Sequence, residues 1–125
     1  MGQKYLIDTN VLIDAQMGRL TKKGLLFLAK VMNDNFIISF ITLIEFLGYK
    51  HITESSEKFI SLAEVVNIDS FIIYSCIALR KNHRIKIPDA IIAATAMTRN
   101  LILITNNEKD FEGIHQLTII NPYSL

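Results

Sequence analysis

Short apolar runs alternate with longer stretches of helical period along almost the whole chain. Strand-like runs occupy residues 4–8, 36–39, 65–68, 101–105 and 117–120. Helix-like apolar spacing fills the intervals at 21–33, 42–49, 55–64, 69–82 and 88–99. This alternation predicts βα units, so we expect an α/β fold with a mainly parallel central sheet flanked by helices. With 125 residues, the chain is expected to form one domain over 1–125.

Three carboxylates stand alone inside apolar sequence and far apart along the chain. Asp8 ends the first predicted strand, and Asp89 opens an apolar helix. Glu45 is the only charged residue between Phe36 and Lys50. Burying a carboxylate beside an apolar core costs several kcal/mol unless a partner compensates for it. The pattern therefore predicts a divalent-metal site that folding assembles from distant segments.

The predicted topology offers a place where these carboxylates could meet. Ligands of parallel α/β sheets bind outside the carboxyl ends of the strands, where Asp8 and Thr105 are predicted to lie. Four acidic or amide residues follow Thr105, namely Asn106, Asn107, Glu108 and Asp110. We expect Glu45 and Asp89 early in helices that reach the same edge. Carboxylates brought together repel one another, and Mg²⁺ or Mn²⁺ would relieve that repulsion.

Four segments of the chain carry a resemblance to a known family. They are Leu-Ile-Asp-Thr-Asn-Val-Leu at 6–12, Thr-Leu-Ile-Glu-Phe-Leu at 42–47, Pro-Asp-Ala-Ile-Ile-Ala-Ala at 88–94 and Thr-Asn-Asn-Glu-Lys-Asp-Phe at 105–111. In order and spacing they resemble the acidic motifs of PIN-domain ribonucleases. The compact length is most similar to VapC-type toxins of bacterial and archaeal toxin–antitoxin pairs. The resemblance spans nearly the whole chain and implies a PIN-like fold.

The resemblance implies a metal-dependent endoribonuclease that hydrolyses RNA phosphodiester bonds. Asp8, Glu45 and Asp89 would be the Mg²⁺ or Mn²⁺ ligands, and Thr9 and Asn10 would orient the first carboxylate. It also implies an RNA substrate and a cognate antitoxin as partners. A rival interpretation is a catalytically silent PIN-like module that binds RNA or protein. A phosphatase of the haloacid-dehalogenase type is disfavoured, because Asn10 stands where that family has a second aspartate.

The fourth acidic position departs from the family pattern. Many PIN domains have an acidic residue two positions after the strand-ending threonine, whereas here Asn107 follows Thr105 at that distance. Asp110 lies three residues further on. Three interpretations stay open: Asp110 completes the catalytic set, Asn107 binds through its amide oxygen, or a second metal binds weakly. Thr105 is expected to contact a ligand or a metal-bound water.

A basic cluster precedes Asp89 and consists of Arg80, Lys81, Arg84 and Lys86. These side chains could seat RNA phosphates next to the metal site. The other interpretation is that cations at the end of a helix complement its dipole and stay solvated. On sequence alone we favour the second interpretation, because it requires nothing beyond the helix.

Composition limits the remaining possibilities. A formal net charge of +1 excludes a polycation that binds nucleic acid through charge alone. The single Cys76 excludes an internal disulfide, and the three histidines show no zinc-ligand spacing. Half of the residues are hydrophobic, which suggests a homodimer that covers apolar surface. The longest apolar run, at 36–49, contains Glu45 and is shorter than the roughly 20 residues of a membrane span, so we expect a cytoplasmic protein.

Overall fold

The computed structural model describes residues 2–125, which alternate between strands and helices. The strands are β1 (Tyr5–Ile7), β2 (Ile37–Ser39), β3 (Glu64–Val66), β4 (Ile102–Ile104) and β5 (Ile119–Ile120). The α-helices are α1 (Thr9–Gln16), α2 (Lys22–Asp34), α3 (Phe40–Leu47), α4 (Glu54–Ile60), α5 (Ser70–Asn82) and α6 (Ile87–Thr98). Short 3-10 helices cover Glu108–Phe111 and Pro122–Ser124. No helix within residues 2–125 has the length and apolar character needed to cross a bilayer.

All described strand pairs are parallel. β1 pairs with β4 and β4 pairs with β5, while β2 pairs with β3 in a second ladder that packs beside β1. The register places Ile7 opposite Ile104 and Ser39 opposite Val66. The carboxyl ends of β1 and β4 therefore meet at one edge. The α/β fold with a parallel sheet, predicted from the alternating pattern, is confirmed.

Neighbouring strand residues face two separate apolar layers. Leu6 and Leu103 pack with α5 and α6 on one face of the sheet, whereas Ile7 and Ile104 pack with α1 to α4 on the other. Strands covered on both faces have continuous apolar sequences, as here. Every residue from Ala90 to Ala96 in α6 is buried, and the small alanines allow this helix to approach the sheet closely. Helix α6 is therefore packed into the core along this stretch.

Two elements differ from the prediction. No helix is predicted over 9–16, yet α1 begins directly after β1, because Asp8 both follows the strand and caps the helix. The helix predicted over 55–64 ends at Ile60 instead. Glu64 belongs to β3, where its N–H donates to the carbonyl of Phe36 at 2.7 Å. At the end of the helix predicted over 55–64, pairing of Glu64 with the distant strand β2 therefore outweighs the local helical pattern.

Candidate active site

Asp8 is held from several sides at the carboxyl end of β1. Its backbone N–H donates to the carbonyl of Ile104 at 3.0 Å, which continues the pairing with β4. Its Oδ1 accepts from the N–H of Thr9 at 2.8 Å, and its Oδ2 accepts from Thr105 Oγ1 at 2.7 Å. The side chain is only 5% exposed. Asp8 is therefore an N-cap, but its burial against a second segment exceeds what a cap requires.

Thr105 links the loop after β4 to Asp8. Its hydroxyl donates to Asp8 and accepts from the N–H of Asn107 at 3.0 Å. Asn107 thus reaches the site through its backbone. The intervening Asn106 has a buried Oδ1 without a hydrogen-bond partner among the described residues. The loop is fixed to the first carboxylate by a single hydroxyl group.

A chain of hydroxyl groups connects α1 to Glu45 on α3. Thr9 Oγ1 lies 2.6 Å from Glu45 Oε1 and 3.0 Å from Thr42 Oγ1. A hydroxyl group has one proton and an ionised carboxylate only accepts, so Thr9 donates to Glu45 while Thr42 donates to Thr9. Thr42 is completely buried. Sequence analysis missed Thr42, and the only available signal was a hydroxyl residue within the apolar segment 40–47.

Glu45 lies in the last turn of α3, which corrects the expectation that it lies early in its helix. The helix begins at Phe40, because the hydroxyl of Ser39 accepts from the N–H of Ile41 at 3.1 Å. A negative charge near the carboxyl end of a helix is disfavoured by the helix dipole. Helix stability therefore gives no reason for Glu45 at this position, and its hydrogen bond to Thr9 directs it toward the site.

Asp89 and Asp110 bring two further carboxylates toward Asp8. Asp89 lies in the first turn of α6 and is half-buried, whereas Asp110 is exposed on the 3-10 helix after β4. Burial, followed by repulsion from Asp110, Asp8 and Glu45, raises the pKa of Asp89 to about 6 despite the nearby Lys86. Burial is also the main cause that raises the pKa of Asp8, and Glu45 and Asp110 add to it. The charges of Glu45 and Asp110 therefore reach both Asp8 and Asp89.

The donor set suits a hard divalent cation. Within residues 2–125, no three His, Cys, Asp or Glu side chains are grouped closely enough to hold a metal ion by themselves. Mg²⁺ usually keeps several waters and is bound by one or two carboxylates together with substrate phosphates. The repulsion that raises the pKa of Asp89 is the interaction that a cation would relieve. The carboxylates thus fit a hydrated, hard divalent cation that keeps several of its waters.

Of the remaining predicted site residues, some lie beside the carboxylates in the structure and others do not. Asn10 is exposed on α1, and within the described chain its side chain does not bond to any of the four carboxylates. Three residues of the basic cluster, Arg80, Arg84 and Lys86, line one cavity together with Asp89 and Asp110. Lys81 lines an adjoining apolar groove instead.

Replacing Asp89 by Asn is expected to stabilise the cation-free protein at neutral pH by about 1 kcal/mol. The full difference between 3.8 and about 6 corresponds to roughly 3 kcal/mol, and solvent screening of this half-exposed group reduces that value. Because folding raises the pKa, the penalty is absent below the unfolded value and grows as the pH rises toward 6.

Thermal unfolding in EDTA at about pH 4 and about pH 7.5 tests this expectation, since the stabilisation by Asp89→Asn should be small at the lower pH and much larger at the higher pH. Asp34→Asn, which removes an exposed carboxylate from α2, is the matched control. Equal unfolding temperatures for wild type and Asp89→Asn at the higher pH would show that Asp89 is not repelled by its neighbours.

Comparison with known proteins places this geometry in a family. The PIN domain family matches residues 5–115. A toxin–antitoxin complex from Klebsiella pneumoniae contains a chain that is 34% identical, with 96% of this chain and 98% of that chain covered and a TM-score of 0.76. No curated protein sequence matches significantly.

Two further solved structures have the same fold and similar lengths. VapBC2 from Rickettsia felis, bound to a DNA fragment from its promoter, has a chain with 26% identity and a TM-score of 0.76, covering 95% of this chain and 98% of that chain. DNA-bound VapBC from Salmonella typhimurium has 25% identity and a TM-score of 0.74, with 97% and 99% covered. This chain therefore belongs to the PIN domain family and is of the VapC type.

Proposed function

We propose that this chain is a metal-dependent endoribonuclease and the toxin of a toxin–antitoxin pair. The observation that carries the proposal is the convergence of carboxylates from four separate segments, because Glu45 and Asp110 lie near enough to repel both Asp8 and Asp89. Membership of the PIN domain family supports it, since nucleases of this family generally use divalent metal ions. Clustered carboxylates without a histidine base suit metal-assisted hydrolysis of a phosphodiester.

Each residue of the site has a proposed role. Asp8, Glu45 and Asp89 would hold Mg²⁺ or Mn²⁺, with Asp110 as the fourth carboxylate. When bound, the ion supplies Lewis acidity at the phosphodiester and lowers the pKa of water. Thr105 fixes one oxygen of Asp8, and Thr9 fixes Glu45. These two hydroxyls keep the carboxylates oriented before substrate arrives, so little reorganisation is needed during the reaction.

The proposed substrate is single-stranded or loop RNA, and the proposed location is the cytoplasm. Attack by water, in place of the ribose 2′-hydroxyl, would leave a 5′-phosphate and a 3′-hydroxyl. In the cation-free protein the pKa of Asp89 is raised to about 6, so below this pH a cation that binds there must displace the proton of the carboxyl group. Cleavage is therefore expected to rise with pH through this range.

A cognate antitoxin and a homodimer complete the proposal. The Klebsiella pneumoniae relative is part of a toxin–antitoxin complex, and it covers nearly all of this chain. Several large apolar side chains are exposed on α5, among them Phe71, Tyr74 and Ile77. Contiguous exposed apolar residues on a helix are typical of a surface that another protein covers.

The test is cleavage of a panel of transfer and ribosomal RNAs by the purified protein with Mn²⁺ or Mg²⁺, beside an EDTA control. We expect metal-dependent cutting with 5′-phosphate ends. Binding of Mn²⁺ is measured by calorimetry in parallel, so that a protein that binds the metal but does not cleave RNA can be recognised. Metal binding without cleavage of any RNA would overturn the nuclease assignment and favour the silent RNA- or protein-binding module.

A further inference from the structure

The cavity beside Asp89 is lined by more cations than carboxylates. It has a volume of about 330 Å³ and is open to solvent. Its lining residues are Arg80, Arg84, Ile85, Lys86, Asp89, Lys109 and Asp110. Four cations and two carboxylates therefore share one cavity, with the candidate metal-binding Asp89 in its wall. Lys109 reaches it from the 3-10 helix after β4, a segment remote in sequence from the other three cations.

The cations of this cavity are free to bind an external anion. Among residues 2–125, the ion pairs within 4.0 Å involve Arg19, Lys58 and Arg99, and none of the four cavity cations. The side chain of Arg80 is positioned by a hydrogen bond, because its Nη1 donates to the backbone carbonyl of Ile85 at 3.1 Å. This contact occupies one of five guanidinium donors and leaves the others available.

Helix capping does not explain the cluster as a whole. Arg80 and Lys81 lie in the last turn of α5, where cations complement the helix dipole. Arg84 and Lys86 lie beyond the end of the helix, and Lys109 belongs to another element. The helix-dipole interpretation favoured on sequence alone therefore accounts for Arg80 and Lys81 but not for Arg84 and Lys86, and it does not extend to Lys109.

We propose that this cavity is a phosphate-binding subsite for the RNA backbone, holding the phosphate next to the scissile one. The inference rests on the proposed function, because the scissile phosphate is assigned to the carboxylates that line the same cavity. Arginine guanidinium groups form paired, charge-assisted hydrogen bonds to phosphate oxygens, and lysine adds a point charge. Lys109 is thereby a substrate-positioning residue that connects the loop carrying Asp110 to the RNA strand.

The first test compares Lys109→Ala and Arg84→Ala with wild type in RNA cleavage. Each variant is expected to raise KM about tenfold and to leave kcat within about twofold, because the lost contact positions RNA and does not touch the reacting bond. The dependence of log KM on log salt should become shallower by about 0.7 for each lost phosphate contact. Lys81→Ala removes the same charge from outside the cavity and measures the contribution of net charge alone.

A second test locates the phosphate. A single-stranded oligonucleotide with one neutral methylphosphonate beside the cleavage site, and a 2′-O-methyl group on that nucleotide, is compared with the 2′-O-methyl oligonucleotide alone. In wild type the neutral linkage should weaken binding at least as much as Lys109→Ala does, because it removes the contact of the phosphate with every cation of the cavity. In Lys109→Ala the neutral linkage should have a smaller effect than in wild type, since one of the partner charges is already gone.

Fluorescence anisotropy in EDTA gives these affinities without cleavage. If the proposed nuclease activity fails, the affinities of Lys109→Ala, Arg84→Ala and Lys81→Ala for unmodified RNA still show whether the cations of the cavity bind RNA. The subsite is overturned if the affinity losses from the neutral linkage and from Lys109→Ala multiply when the two changes are combined. It is also overturned if Lys81→Ala weakens RNA binding as much as Lys109→Ala and Arg84→Ala do. Thermal unfolding confirms that each variant is folded, as expected for substitutions of exposed side chains.

Discussion

Replacing Asp8 by Asn is expected to reduce RNA cleavage at least about a hundredfold, the upper end of what losing a group that orients a metal ligand costs. The substitution removes one negative charge from the proposed cation site. It also leaves one amide oxygen where two carboxylate oxygens accept from the N–H of Thr9 and the hydroxyl of Thr105. The fold should persist, because the amide is nearly isosteric and spares the cost of burying a charge. Initial rates at saturating Mn²⁺, beside thermal unfolding, measure the effect.

Asp14→Asn is the matched control for this substitution. Asp14 lies on the same helix, α1, but its carboxylate contacts Arg19 and the hydroxyl of Tyr123. We expect its cleavage rate to stay within about twofold of wild type, because it contacts no residue of the site. If Asp8→Asn kept half of the wild-type rate while Asp14→Asn behaved alike, Asp8 could not be a metal ligand.

The second large effect is expected from Thr9→Val, which deletes one hydroxyl with little change of volume. Glu45 loses the donor at 2.6 Å that orients it, and the buried Thr42 loses its acceptor. Loss of a group that orients a metal ligand typically costs 10- to 100-fold in metal affinity or activity. Calorimetric titration with Mn²⁺ and single-turnover cleavage would separate the loss of metal binding from the loss of rate.

Thr9→Ser is the control that restores the hydroxyl. If Thr9 only filled space, this variant would not recover metal affinity. Serine keeps the hydroxyl between Thr42 and Glu45, although it removes the methyl group. We therefore expect Thr9→Ser to recover most of the metal affinity and Thr9→Val to recover none. Equal affinities in the two variants would mean that the hydroxyl chain does not position Glu45.

The layered fold could be predicted because its signals are local. The spacing of apolar residues distinguishes strands from helices. Side-chain caps mark where helices begin: Thr21 accepts from the N–H of Gly24, and Asp69 accepts from the N–H of Ile72. Pro88 lies in the first turn of α6, where its missing N–H costs nothing. Prediction was poorest where one residue served two elements. Asp8 ends the strand and caps α1, so no turn residues separate them.

The candidate site was only partly visible in the sequence, because its organisation depends on contacts between distant segments. Isolated carboxylates in apolar surroundings could be recognised individually. The hydroxyl of Thr42 could not, since its meaning arises only when α1 packs against α3. The basic cluster looked uniform in sequence, but the path of the chain after α5 turns Arg84 and Lys86 into the cavity and leaves Lys81 outside it.

The parallel ladders also govern when during folding the site can exist. Each ladder joins strands that are distant in sequence, so long loops must close before the contacts form, and folding of such topologies is slow. Asp8 is fixed only after β4 docks on β1, and Glu45 only after α3 docks on α1. Partly folded chains would therefore lack the paired carboxylates. The proposed toxicity would begin only at the end of folding, which leaves newly made chains harmless while they are still collapsing.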